Sequence, residues 1–347
     1  MKRADLYRVG IFLLAAAAVF LLPRFISDFR AQQFAYVGIY FIALLGLNVL
    51  TGYTGQISLG HGAFMAIGGY TTAILISEQG LKIGSHTFAS DMKDVWTIPL
   101  AGLVAGIVGF LFGFPALRLT GLYLALATFA VAVAMPGLIK YERFEAFTGG
   151  GGGINLFGIP GLTGALEGVT IPVLDSTITF NEWLYYLCWT TALIMFALAW
   201  VLLRGKIGRS FRAVRDSELA AASSGVNLAT YKTLAFGISA FYAGIAGSLL
   251  AIATTFVNPD TYPITLSIFL LVGVVVGGLG SLWPLVFGAI FIQFLPLWAQ
   301  EVSKAQGAPA VVYGVILILV MLVLPGGAGG LIRRLQSLTS RGYHRGR

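Results

Sequence analysis

Apolar runs of roughly membrane-crossing length follow one another along almost the whole chain: Tyr7–Leu22, Phe34–Leu50, Ser58–Ile76, Thr97–Phe114, Gly121–Ile139, Trp183–Leu203, Thr233–Phe256, Ile264–Val276, Trp283–Ala299 and Ala308–Leu324. About 20 helical residues cross about 30 Å of hydrocarbon, so most of these runs suit a span, and the short eighth must borrow from the glycine-rich stretch Gly277–Leu282. The expected fold is all-α and polytopic, with about ten transmembrane helices forming one membrane domain over residues 1–347. With 57% hydrophobic and only 10% charged residues, a soluble globule would have to bury nearly everything, and the lipid bilayer is the implied solvent.

The net charge of +8 does not point to nucleic acid, because the basic residues sit at the ends of apolar runs rather than in a patch with interleaved aromatics. They read as topology signals and contacts to anionic membrane lipid. If the N-terminus is cytoplasmic, fifteen of the 22 Lys and Arg fall on the inside, which supports an even number of spans with both termini cytoplasmic. Eight or nine spans stay open, since the turn around Gly277–Pro284 could be re-entrant. Tyr7–Leu22 reads as a retained span, because Pro23, Arg24 and Phe25 follow it in place of a small-residue cleavage site. The alternation also places an outer loop over 140–182, a cytoplasmic loop over 204–232 and a basic cytoplasmic tail over 326–347. The lone Cys188 excludes an intrachain disulfide and a cysteine-based metal site.

The loop 204–232 is the longest polar interval on the inner side. Arg204, Lys206, Arg209, Arg212 and Arg215 crowd its start, and a short helix Glu218–Ser224 is expected next, capped by Asp216 or Ser217 and closed by Gly225. Such a helix, Ala-rich and mostly uncharged, suits docking into a groove on a cytoplasmic partner. The alternative is an ordinary connection whose arginines only fix topology.

Between the second and third runs lies TGYTGQ, residues 51–56, an irregular sequence with apolar flanks. Irregular backbone near membrane depth survives only where protein or a water-filled cavity satisfies it. Asn48, Thr51, Thr54, Gln56, Ser58, His61 and Gln293 are therefore candidate pathway residues, since polar side chains in spans tend to face the bundle interior. Interhelical hydrogen bonding is the competing account of each. No carboxylate lies in a span core, which argues against a proton relay or an ion-coupled carrier. The glycine pairs Gly52/Gly55 and Gly277/Gly280 hint at an internal repeat. On the outer side Glu142, Arg143 and Glu145, with Glu78, Lys93 and Asp94, offer alternating charges for a docking protein or simply a solvated surface.

Several stretches together resemble the permease subunits of bacterial ABC importers for branched-chain amino acids: NVLTGYTGQISLGHGAFMAIGGY from Asn48, GLYLALATFA from Gly121, TGGGGGI from Thr148, RAVRDSELAAASSGVN from Arg212 and GGLGSLW from Gly277. The likeness extends from about Phe34 to Leu331, and the long outer segment before the sixth run is more similar to the LivM-type subunit than to its LivH-type companion. Two positions depart from the family pattern: Trp283 is followed directly by Pro284, and Leu297 stands where a carboxylate is common.

The resemblance implies a non-catalytic translocation subunit of the bacterial cytoplasmic membrane, without a cofactor. It would work with a second, LivH-like permease, two cytoplasmic ATPases and an extracytoplasmic binding protein. It assigns ATPase coupling to Arg215, Glu218, Ala221, Ala222 and Gly225. The absence of any G-x-x-x-x-G-K-[ST] agrees, as does the scatter of His61, His86 and His344 without metal-ligand spacing. A urea or short-amide permease of the same family, and a self-sufficient channel or secondary carrier, are the alternatives.

Overall fold

The computed structural model describes residues 19–77, 81–83, 86–88, 94–119, 121–156, 179–302, 308–323 and 326–330. Residues 7–18 of the expected first span, the charged loop residues Glu78 and Lys93, and the tail beyond 330 lie outside them.

After a 3-10 turn at Leu22–Phe25, helix α1 runs over Asp28–Asn48 and widens into a π turn at Val49–Tyr53. Helix α2, His61–Ile76, follows an irregular stretch and leads to an antiparallel pair of β1, Leu81–Ile83, and β2, His86–Phe88. Next come α3, Asp94–Ala116, and α4, Leu122–Ile139, then the short α5, Glu142–Thr148, and strand β3, Ile154–Asn155. Helix α6 spans Phe180–Arg204, and α7, Lys206–Asp216, and α8, Glu218–Ser223, join it to α9, Leu228–Thr254. Strand β4, Phe256–Val257, pairs antiparallel with β3, and a 3-10 turn at Pro259–Thr261 enters α10, Ile264–Gly277. Helices α11, Leu285–Val302, and α12, Ala308–Val323, complete the described chain.

The result is an all-α polytopic membrane protein. Nine of the ten apolar runs coincide with helices, and six helical stretches among the described residues are long and apolar enough to cross a bilayer. Helices α1 and α9 are buried along most of their length, whereas α3 and α4 leave Leu103, Ile107, Leu111 and Leu122 exposed, as lipid-facing helices do. Two aromatic polar tips inside the bundle find carbonyl partners: Trp189 donates to the Phe34 carbonyl at 3.0 Å and Tyr242 to that of Met195 at 2.9 Å.

Printed contacts sort the elements into two ends. At one, Asp28 accepts hydrogen bonds from Thr179 and Asn181 at the start of α6, so α1 and α6 run in the same direction. Thr179 also forms a capping box with Glu182, which fixes where α6 begins. The β3–β4 pair lies at this end too, because it joins the chain after α5 to the chain after α9. At the other end, α7 meets the close of α1 and the turn between α10 and α11.

Three boundaries differ from expectation. Helix α1 starts at Asp28 rather than Phe34, because its first turn is polar and falls below any hydropathy threshold while remaining helical. Helix α2 starts at His61 rather than Ser58, since Gly55 takes φ +73° and residues 55–60 form an irregular stretch that bends at Leu59. Helix α10 takes only Gly277 from Gly277–Leu282: Gly278 at φ +108° and Gly280 at φ +71° stop it, and the rest of the added length comes from the Pro259–Thr261 turn.

Candidate coupling and translocation site

Where α1 ends, its side chains close over the turn between α10 and α11. Asn48 donates from Nδ2 to the Ser281 carbonyl and accepts at Oδ1 from the Gly280 N–H, both at 2.9 Å. Any side chain at Gly52 would be driven into the Asn48 amide and the Gly280 backbone, so only glycine permits this approach. The two glycine pairs noted in the sequence thus meet in space.

The π turn frees backbone carbonyls that a regular helix would use. One of them, on Gly52, accepts from Arg215 Nη1 at 3.1 Å. The same guanidinium is held on its other side by Asp216, whose Oδ1 accepts from Nε at 3.0 Å and Nη2 at 2.9 Å. The Arg215 stem lies against Gly55, and its Nη1 lies beside Gly280. A single side chain from α7 therefore touches both glycine pairs.

The rest of the irregular stretch is satisfied from within. Thr51 donates to the Gln56 carbonyl at 3.2 Å, Thr54 donates to that of Leu50, and Gln56 Nε2 donates to Thr54 Oγ1 at 3.0 Å. Ser58 Oγ accepts from the Gly60 N–H at 3.3 Å. The start of α2 is tied across the bundle, the Leu59 N–H to Thr128 Oγ1 and the Gly62 N–H to Ser267 Oγ, each at 2.9 Å. His61, buried at 1% exposure, places Nε2 3.3 Å from Ser239 Oγ, which donates to the Gly46 carbonyl at 2.8 Å. Asn48, Thr51, Thr54, Gln56, Ser58 and His61 are thus gathered in one buried stretch and spend most of their hydrogen-bonding capacity on holding it. Gln293 stands half-buried on α11, and no hydrogen bond joins it to the others. Among the described residues no His, Cys, Asp or Glu cluster could hold a metal ion.

The family model described as branched-chain amino acid transport system / permease component matches residues 30–324. The chain belongs to this family. It is 33% identical to the high-affinity branched-chain amino acid transport system permease protein LivM of Escherichia coli K12, over 94% of this chain and 75% of the relative. LivM of Salmonella typhimurium is 32% identical over the same shares, and LivH of Escherichia coli K12 is 25% identical over 84% of this chain and 91% of the relative. No solved structure matches.

In this permease the basic run after Arg204, expected as part of a loop, folds over Lys206–Asp216 into the helix α7. Phe211 and Val214 are buried and Ile207 is half-buried, a 4- and 3-residue spacing that lays one apolar stripe against the bundle and leaves Arg209 exposed. The short helix after it forms at Glu218–Ser223, capped by Ser217 Oγ, which accepts from the Ala220 N–H at 3.3 Å. Gly225 closes it at φ +82°, with the Val226 N–H bonded to the Ala221 carbonyl at 3.0 Å.

The five coupling candidates do different things. Ala221 is buried, Glu218 pairs with Lys232 at 2.7 Å and so pins α8 to α9, and Arg215 points into the membrane domain; Ala222 and Gly225 are exposed. Sequence reasoning missed Leu219, which is 81% exposed on the same helix. Its signal was a single large apolar side chain among alanines at the second helical position. Glu142, Arg143 and Glu145 are all exposed on α5.

Proposed function

We propose that this permease is one of two membrane subunits of an ATP-driven importer of the bacterial cytoplasmic membrane. A LivH-like subunit pairs with it, two cytoplasmic ATPases supply hydrolysis, and an extracytoplasmic binding protein delivers branched-chain amino acids. The chain itself carries no catalytic step and needs no cofactor. Family membership supports this reading, and the observation that carries the mechanism is the Arg215 junction. A short exposed helix, α8, lies one residue beyond a helix whose Arg215 grips the break in α1.

In this account α8 sits in a groove on one ATPase with Leu219 as its apolar anchor and Ala222 and Gly225 beside it. ATP binding draws the two ATPases together and displaces α8. Helix α7 moves with it, and Arg215 carries the displacement to Gly52 and to the Gly277–Ser281 turn. Segments α1–α2 and α10–α11 then tilt as rigid bodies and exchange outer for inner access. The end holding 204–232 is cytoplasmic, as is the basic tail 326–347, and the outer loop 140–182 faces the binding protein. With Tyr7–Leu22 as a further span, the chain crosses ten times.

Two outcomes test the assembly. Affinity purification of the chain from its native membrane in mild detergent should recover a second permease and two ATPases. A Leu219→Asp variant should retain the second permease and lose the ATPases, because a carboxylate in an apolar groove is left desolvated without a partner. Retention of the ATPases at wild-type yield would remove Leu219 from the interface. Charge reversal at Glu142 or Glu145 should weaken stimulation of ATP hydrolysis by the binding protein severalfold without changing basal hydrolysis. Unchanged stimulation would leave these residues as solvated surface.

A further inference from the structure

A cavity of about 580 Å³ opens between the outer half of α1, the end of α9 and the start of α10. Most polar groups of the candidate pathway residues at 48–61, His61 Nδ1 excepted, are already hydrogen-bonded within the protein, but this cavity is lined by several polar groups that are not. Among the described residues Asp260 makes no ion pair or hydrogen bond, and the hydroxyls of Tyr36, Tyr40 and Thr265 have no hydrogen-bond partner. Asn258 spends Oδ1 on the N–H and hydroxyl of Thr261, at 2.8 and 2.9 Å, which leaves its amide N–H groups to donate. Apolar walls come from Leu250, Leu266 and Phe269.

The turn that presents Asp260 is fixed. Asn258 and Thr261 cap each other, and the next residue, Tyr262, donates to the Gly247 carbonyl at 2.8 Å from a buried ring. Such second-layer support is what a binding side chain needs to hold one geometry.

We infer that this cavity is an outward-facing subsite for a zwitterionic α-amino acid with an apolar side chain; the inference rests on the importer reading above. The single carboxylate of Asp260 takes the ammonium. The Tyr36, Tyr40 and Thr265 hydroxyls and the Asn258 amide, donors without net charge, take the carboxylate. Leu250, Leu266 and Phe269 receive the side chain. Its volume lies within the range of small-molecule pockets, about 300 to 1,000 Å³, and leaves room for water beside a leucine. Neutral donors on one side and one acid on the other give weak binding, as suits a site that must release its cargo onward.

Thiol labelling tests this in the assembled importer. Cys188, the natural cysteine, is buried, so a cysteine placed at the rim by Phe256→Cys, where the native side chain is 41% exposed, is the reactive one. Leucine at about ten times its Kd should slow maleimide labelling about tenfold. Isopentylamine, which lacks the carboxylate, and 4-methylpentanoate, which lacks the ammonium, should leave the rate unchanged at the same concentration. Adding Asp260→Asn should abolish protection by leucine. Absence of protection by leucine, or equal protection by all three compounds, would overturn the subsite, and Thr254→Cys provides a second reporter on the same wall. The labelling needs no ATP. Failure of wild-type proteoliposomes to take up leucine with ATP would therefore count against the importer reading and leave the subsite result readable.

Discussion

Exchange of Arg215 for alanine is expected to abolish ATP-driven uptake while the ATPases stay bound and continue to hydrolyse. The side chain contributes nothing to the exposed face of α8; its contacts are the Gly52 carbonyl, Asp216, and the glycines of both turns. Removing it leaves the Gly52 carbonyl, at the π turn, without its charged donor. An unsatisfied buried acceptor of this kind costs about 1–3 kcal/mol. That energy is local to the link between α7 and α1, so the expected defect is loss of transmission rather than loss of assembly.

The conservative exchange sharpens the test. Lysine can place one charge near the Gly52 carbonyl, but it cannot at the same time present two N–H groups to Asp216, because an ammonium on a flexible stem lacks the planar fork of arginine. Arg215→Lys should restore part of the uptake, and Asp216→Asn should reduce it less than Arg215→Ala does. Uptake and hydrolysis measured side by side in proteoliposomes decide the matter. A parallel fall in both, with ATPase lost from the complex, would place Arg215 in docking instead.

The helices of the bundle were legible because each is an apolar run bounded by charge or by proline, and hydrocarbon admits few other solutions. Helix α7 was not, because three apolar side chains among eleven residues are outweighed by its arginines in any average, although Ile207, Phe211 and Val214 carry the helical period. The interruption at TGYTGQ could be read from Gly52 and Gly55. That it is a π turn held by Asn48 could not, since the partner Ser281 lies 233 residues away and nothing near Asn48 announces it. The same limit applies to the polar residues from Thr51 to His61. Their type marks them as costly in a membrane, and only their partners reveal that they brace the break. The cavity beside the Pro259–Thr261 turn escaped notice for the converse reason: Tyr36, Tyr40 and Asp260 are unremarkable in sequence, and their meaning comes from facing one space.

Gly247→Ala is expected to destabilise the protein severely, whereas Gly137→Ala should be neutral or mildly stabilising. Helices α2 and α9 touch through their backbones: a methyl group on Gly247 would be driven into Met65 O, and one on Gly68 into Gly244 O. Main-chain atoms cannot rotate aside, so the helices must separate. Separation also strains the Thr72–Ser248 hydrogen bond at 2.6 Å and moves the carbonyl that anchors Tyr262. Overpacking of this kind costs about 1–3 kcal/mol, and here it falls on α9, which is buried along most of its length. Around Gly137 on α4 a methyl group meets nothing within 4 Å, and replacing a glycine at such a site restricts the unfolded chain, worth about 0.4–1 kcal/mol. Thermal unfolding of each purified variant in detergent, followed by size-exclusion chromatography, reads the difference as a lowered Tm and reduced yield for Gly247→Ala alone. Equal Tm for the two variants would mean that α2 and α9 can repack at greater separation. The pair also controls the coupling experiment: Arg215→Ala should lose uptake with its Tm intact, while Gly247→Ala should lose uptake together with its Tm, because the start of α2 at His61 is positioned by Ser239 on the displaced helix.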